Sequence, residues 1–135
     1  MAGYSTTPLS KKLGIKEHSR VRIEHAPDNF IDLLHPLPNR VKISTRLRSN
    51  IDIVHLFTHS KNELSGQLNM AMKQIRQNGM IWVSWPKKAS GVLTDVTEDR
   101  IREVALPLGL VDIKVCAIDE VWSGLKLVIR KGNRK

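Results

Sequence analysis

Apolar and polar residues alternate over residues 20–25, where Val21 and Ile23 interleave with Arg20, Arg22 and Glu24. A period of two is that of a strand with one wetter face. The same period returns over 40–47 through Val41, Ile43 and Thr45. Between these two strands, Ala26-Pro27-Asp28-Asn29 has turn chemistry, and the run from Phe30 to Leu34 reads as a short helix stopped by Pro36 and Pro38. Ile51–Phe57 is nearly continuous in apolar residues, the pattern of a strand buried on both faces of a parallel sheet. It runs into Ser60-Lys61-Asn62-Glu63, an S-x-x-E capping box whose side chains satisfy orphan amides reciprocally. Leu64, Leu68, Ala71, Met72 and Ile75 then make one helical stripe, with Asn78-Gly79 as its left-handed stop.

Residues 80–85 form the next buried strand, ended by Pro86. After a loop rich in Lys, Ser and Gly, Asp95 and Glu98 open a helix with the stripe Ile101, Val104, Ala105 and Leu108, closed by Gly109. Two strands over 111–117 and 125–130 flank Trp122-Ser123-Gly124, which reads as a hairpin turn. Residues 1–17 are expected to form an N-terminal arm with one helical turn, 18–131 a single domain, and 132–135 a basic tail. This order of elements is α/β. Helical crossovers make the main strands parallel with right-handed connections, and the closing hairpin adds one antiparallel strand.

Composition narrows the class. With 135 residues, 41% hydrophobic and 26% charged, the chain can bury a core without a metal or disulfide. No apolar run approaches the length of a membrane-spanning helix, and Met1-Ala2-Gly3-Tyr4-Ser5 lacks the start of a secretory signal. The single cysteine, Cys116, fits a reducing compartment, so a cytoplasmic location and no membrane partner are expected.

The strand-helix order with its terminal hairpin resembles the Rossmann-like sheet of class I methyltransferases. Asn50-Ile51-Asp52-Ile53-Val54 resembles that fold's D-x-V strand, and Gln77-Asn78-Gly79-Met80-Ile81-Trp82-Val83 resembles its helix-to-strand turn. The resemblance implies a three-layer Rossmann-like (methyltransferase-like) α/β sheet of order 2-1-3-4-6-5 with strand 6 antiparallel. It also implies a glycine-rich turn after the first strand and an acidic residue ending the second, both serving S-adenosylmethionine. Here the first turn is His25-Ala26-Pro27-Asp28-Asn29 and the second strand ends Ser44-Thr45-Arg46. Neither requirement is met, so methyl transfer is not expected and no cofactor is assigned. Three further segments, Met1 to Ser5, Trp85-Pro86-Lys87-Lys88-Ala89-Ser90-Gly91 and the stretch from Val115 to Val128, resemble an uncharacterised bacterial family known as a domain of unknown function. That resemblance carries no activity and no catalytic residue.

In open α/β sheets, ligands sit beyond the carboxyl ends of the strands, near the point where strand order reverses. The rim expected there collects Lys87, Lys88 and Ser90, with His25 or His59 approaching from neighbouring strand ends, and reads as a site for a small anionic ligand. The bland alternative makes the two lysines a solvated loop and Trp85 core. The five histidines match no zinc pattern, His55 lies mid-strand as a hydrogen-bonded core group, and Cys116 reads as a small core residue. Trp122 is either a core plug or an interface anchor. The net charge of +9 is concentrated in residues 1–50, with nine basic against four acidic groups, and in 101–135, with seven against four. Arg20, Arg22, Arg40, Lys42, Arg46 and Arg48 fall on or beside two neighbouring strands, an edge able to meet nucleic-acid phosphates non-specifically. Three readings stay open. The first is a non-catalytic module holding a small anionic ligand or a protein partner, itself or another. The others are an enzyme acting on a phosphorylated small molecule and a basic nucleic-acid accessory protein.

Overall fold

A computed structural model describes residues 7–135; the first six residues, including the motif Met1 to Ser5, lie outside the described residues. Its single six-stranded sheet has the order β2-β1-β3-β4-β6-β5. The strands are β1 (Arg20–Glu24), β2 (Lys42–Ser44), β3 (Ile51–Phe57), β4 (Ile75–Pro86), β5 (Leu110–Ala117) and β6 (Trp122–Ile129). β1 runs parallel to β2 and β3, β3 runs parallel to β4, and β6 is antiparallel to both β4 and β5. This is the Rossmann-like order that the methyltransferase resemblance implied, with the terminal hairpin the element pattern predicted.

Helices α1 (Leu9–Lys12) and α2 (Phe30–Leu34) lie on one face of the sheet, and α3 (Lys61–Gln74) and α4 (Glu98–Ala105) on the other. β3 is covered on both sides, which is why its sequence does not alternate: Val54 and Leu56 face α3, and Ile53 and Phe57 face α2. Leu68 and Ile75 belong to the α3 side, whereas Trp82 packs on the opposite face with Leu13, Phe30 and Trp122. Along the segment expected to be an arm, Leu13 and Ile15 are buried, and the Trp82 indole N–H donates to the Leu13 carbonyl at 3.0 Å. At the other end, Arg134 donates to the Ile129 carbonyl at 3.0 Å. Among the described residues no helix is long and apolar enough to cross a membrane.

Four local readings are corrected by tertiary contacts. β2 spans three residues rather than eight, because the Arg46 amide turns back onto Ser44 Oγ at 3.0 Å and takes the chain out of the sheet. α3 ends at Gln74, and Ile75 enters β4 directly, pairing with Ile51. Gly79 is therefore not a helix stop and has no positive φ. A Cβ there would stand 3.0 Å from the Arg76 and Asp52 carbonyl oxygens, so glycine is required for close backbone approach. The Ser60 side chain does not cap α3; Asp95 Oδ1 does, accepting from the Lys61 amide at 2.8 Å. The hairpin turns on Asp119, whose Oδ1 accepts from the Val121 and Trp122 amides at 2.8 and 2.7 Å, and Trp122 opens β6 instead of forming the turn. Trp122 is a core plug, buried edge-on against Phe57 with ring centroids 5.1 Å apart.

Candidate functional site

The topological switch lies between β1 and β3. The chain leaves β1 outward to β2 through α2, and leaves β3 in the other direction through α3 on the opposite face. Beside this point, at the carboxyl ends of β1 and β2, is a cleft of about 470 Å³. Ile23, Ile31 and Ile43, with Ala26 and Pro27, give it an apolar floor. His25, Asp28, Ser44 and Thr45 supply its polar groups. The turn that makes the cleft is held by His25 in the left-handed region, with φ 58°. Histidine enters that region more readily than most side-chain-bearing residues, so the turn forms without glycine. Ile31 is 41% exposed on the short helix α2, an apolar side chain left at the cleft rather than in the core.

At the other strand exits the polar groups are already bonded within the chain. At the end of β3, Thr94 Oγ1 donates to the His59 carbonyl at 2.8 Å and Asp95 accepts from the Lys61 amide, so the positive amino end of α3 already holds a carboxylate. At the end of β4, the Lys87 ammonium donates to the Asp119 carbonyl at 2.7 Å, and Ser90 Oγ donates to the Lys87 carbonyl at 2.6 Å. Lys88 is exposed and lines a hollow with Trp85 and Leu93, whose neighbour around Leu93 and Thr94 is lined by His59. Of the residues expected to share one anion site, His25 thus lines the β1–β2 cleft. Lys88 and His59 border hollows around Leu93, and Lys87 and Ser90 are tied into their own loop. The basic edge is divided too. Arg22 is buried and paired with the Glu24 carboxylate, and Arg20 donates to the Ser49 carbonyl at 3.3 Å, while Arg40, Lys42, Arg46 and Arg48 are exposed.

The most perturbed imidazole belongs to none of these surfaces. His55 is 1% exposed, stacks on Phe57 with centroids 4.5 Å apart, and shares a 2.6 Å hydrogen bond between Nε2 and Ser84 Oγ. Burial pushes its pKa down to about 3, so it is neutral. Its partner was legible only as a lone serine in the apolar run of β4. The strongest ion-pair centre is Arg102, which bonds Asp112 at 2.9 Å and also pairs with Glu98 and Asp99. Hydrogen bonding to Arg102 holds the Asp112 carboxyl below its ordinary range, and the group fastens α4 to β5. Among the described residues no cluster of three or more His, Cys, Asp or Glu is placed to hold a metal.

S-adenosylmethionine does not fit the cleft as that cofactor is held in methyltransferases. Side chains at His25, Ala26 and Pro27 occupy the turn where bare glycine backbone would approach it, and β2 ends in Ser44 and Thr45 without a carboxylate. The cleft's one carboxylate comes from Asp28, on the other wall.

The model of a family described as a protein of unknown function (DUF3052) matches residues 43–131. No curated protein matches the chain. Among solved structures, a ribosomal protein L11 methylase from Lactobacillus delbrueckii subsp. bulgaricus aligns at 8% identity and TM-score 0.49 over 83% of this chain and 58% of its own. Trm5b from Pyrococcus abyssi aligns at 15% identity and TM-score 0.48 over 85% and 45%. A Methanococcus jannaschii fibrillarin pre-rRNA processing protein aligns at 13% identity and TM-score 0.48 over 82% and 56%. The chain spans about half the length of these solved chains.

Proposed function

The chain belongs to the DUF3052 family of proteins of unknown function, and from that premise and the geometry of the rim we propose that it is a binding module rather than an enzyme. It takes a small molecule with an apolar body and an anionic end in the β1–β2 cleft. One observation carries this reading: at the exits of β3 and β4 the groups that would hold an anion are already engaged, the Lys61 amide by Asp95 and the Lys87 ammonium by the Asp119 carbonyl, while the β1–β2 cleft beside the switch point sets His25 and Thr45 over an apolar floor. Its floor of three isoleucines suits a flat apolar group, and the hydroxyl of Thr45 and the imidazole of His25 supply donors for an oxyanion. Arg46 follows Thr45 and is exposed, adding a cation beside the mouth. Asp28 suits a hydroxyl or amine on the same ligand. The absence of catalytic work is supported by where the chemistry sits: His55 is sealed in the core, and Arg102 serves an ion-pair network on α4 and β5.

Fluorescence titration with anilinonaphthalene sulfonate, an aromatic body with an anionic end, tests the site. The full chain is expected to show one saturable site that Thr45→Glu and Ile43→Glu each abolish and Lys87→Ala/Lys88→Ala leaves intact. Binding retained in Thr45→Glu, whose side chain is at the surface and not needed for folding, would overturn the assignment. Native mass spectrometry of the purified protein would then identify any ligand carried from the cell.

A further inference from the structure

A second charged surface lies at the opposite edge of the sheet, on the β5–β6 hairpin. The antiparallel register sets Lys114 directly across from Lys126. Like charges in that position oppose strand pairing, a local cost carried by the hairpin. Two more lysines are brought to the same face by packing. Trp82, the cross-strand neighbour of Lys126 on β4, holds the Leu13 carbonyl at 3.0 Å. Gly14 sits so close to Met80 that a Cβ would stand 3.0 Å from Met80 Cε. These contacts fix residues 13 and 14 on the sheet, and Lys12 and Lys16 flank them. None of the ion pairs among the described residues engages Lys12, Lys16, Lys114 or Lys126. Burial lowers the Lys126 ammonium pKa, and Lys114 and Lys16 lower it further. Burial raises the Cys116 thiol pKa, and Lys12 and Lys114 draw it back. The charges acting on both groups are cations.

We propose that Lys12, Lys16, Lys114 and Lys126 form a binding site for phosphate oxyanions on the terminal hairpin, separate from the β1–β2 cleft. Four lysines from three stretches of chain are brought to one face without an ion-paired carboxylate among the described residues, and a bound polyanion relieves their mutual repulsion. Lysine acts here as a point charge, which suits phosphate groups of varied geometry and sets no bidentate requirement. The phosphate can belong to a free phosphate ester or to a nucleic-acid backbone.

Cys116, the chain's one cysteine, lies half-buried beside the lysines and serves as a reporter. At low salt, an anionic methanethiosulfonate reagent is expected to label it several-fold faster than a cationic one, and tripolyphosphate is expected to slow that labelling. Lys114→Gln/Lys126→Gln should remove both effects, while Lys73→Gln/Lys88→Gln, an equal change in net charge elsewhere, should leave them. Backbone amide shifts of Lys114 and Lys126 in an NMR titration with tripolyphosphate read occupancy independently of the thiol. Protection by tripolyphosphate alone identifies a phosphate-ester site. Protection also by a single-stranded oligonucleotide, falling steeply with salt, identifies a nucleic-acid backbone. Absence of amide shifts with both probes at millimolar concentration and low salt, or shifts unchanged in Lys114→Gln/Lys126→Gln, would overturn the proposal.

Discussion

Acidification should destabilise this protein through His55. The ring is 1% exposed, stacked on Phe57, edge-on to Phe30 with centroids 4.9 Å apart, and bonded to Ser84 Oγ at 2.6 Å. Burial lowers its pKa from 6.5 to about 3. In the folded state the imidazole stays neutral to about pH 3, while the unfolded chain takes up the proton near pH 6.5. The folded-state pKa is depressed, so this contribution to stability is complete above pH 6.5, falls as the pH drops, and levels off near pH 3. The slope is about 1.4 kcal/mol per pH unit, so between pH 7 and pH 4.5 roughly 2.5 kcal/mol should be lost. Urea unfolding midpoints at the two pH values measure it. Carboxylates such as Asp112 also titrate, so the comparison is with His55→Leu/Ser84→Ala, which removes both hydrogen-bonding partners and leaves neither orphaned. The wild type should lose more stability than the double variant by roughly that 2.5 kcal/mol. Equal losses in the two proteins would refute the reasoning and show that His55 is protonated or solvated in the native state.

Further substitutions probe the helix faces and joints. Leu68→Ala, at a fully buried position on α3, is expected to cost about 2–5 kcal/mol in urea unfolding, and a change below about 0.5 kcal/mol would mean the helix face is misassigned. Gly79→Ala, which drives a Cβ to 3.0 Å from two carbonyl oxygens, should cost about 1–3 kcal/mol, whereas Gly66→Ala in open space on α3 should stabilise by about 0.5–1 kcal/mol. Thermal melts with the same sign for both alanines would contradict this assignment of the two glycines. Asp95→Ala should cost about 1 kcal/mol by uncapping α3, and adding Ser60→Ala should change the midpoint little because Ser60 makes no cap.

The periodicities of the chain determined the architecture. Alternation at 20–25, the nearly continuous apolar run of β3 and the stripe of α3 each report how many faces of an element are dry, and that count is local to the element. From it followed the α/β class and the antiparallel last strand, while the sheet order followed from the resemblance to the methyltransferase sheet. The burial of His55 was legible too, since it stands among four of the five apolar residues of β3, from Ile53 to Phe57. Tertiary structure alone decided where groups distant in the chain meet. Ser60 and Glu63 have the letters of a capping box, yet Asp95, 34 residues away, holds the Lys61 amide because a charged acceptor brought in by the β4–α4 loop occupies that end of the helix. Lys87 looked like a free cation until the hairpin turn placed the Asp119 carbonyl within 2.7 Å of it. His25 and Lys88, grouped together along the rim by strand order, border separate hollows because the loops after each strand, not the strands themselves, shape the rim. Strand and helix patterns record burial, which each residue experiences singly; a site needs pairs, and pairs across loops are fixed only when the whole chain has packed.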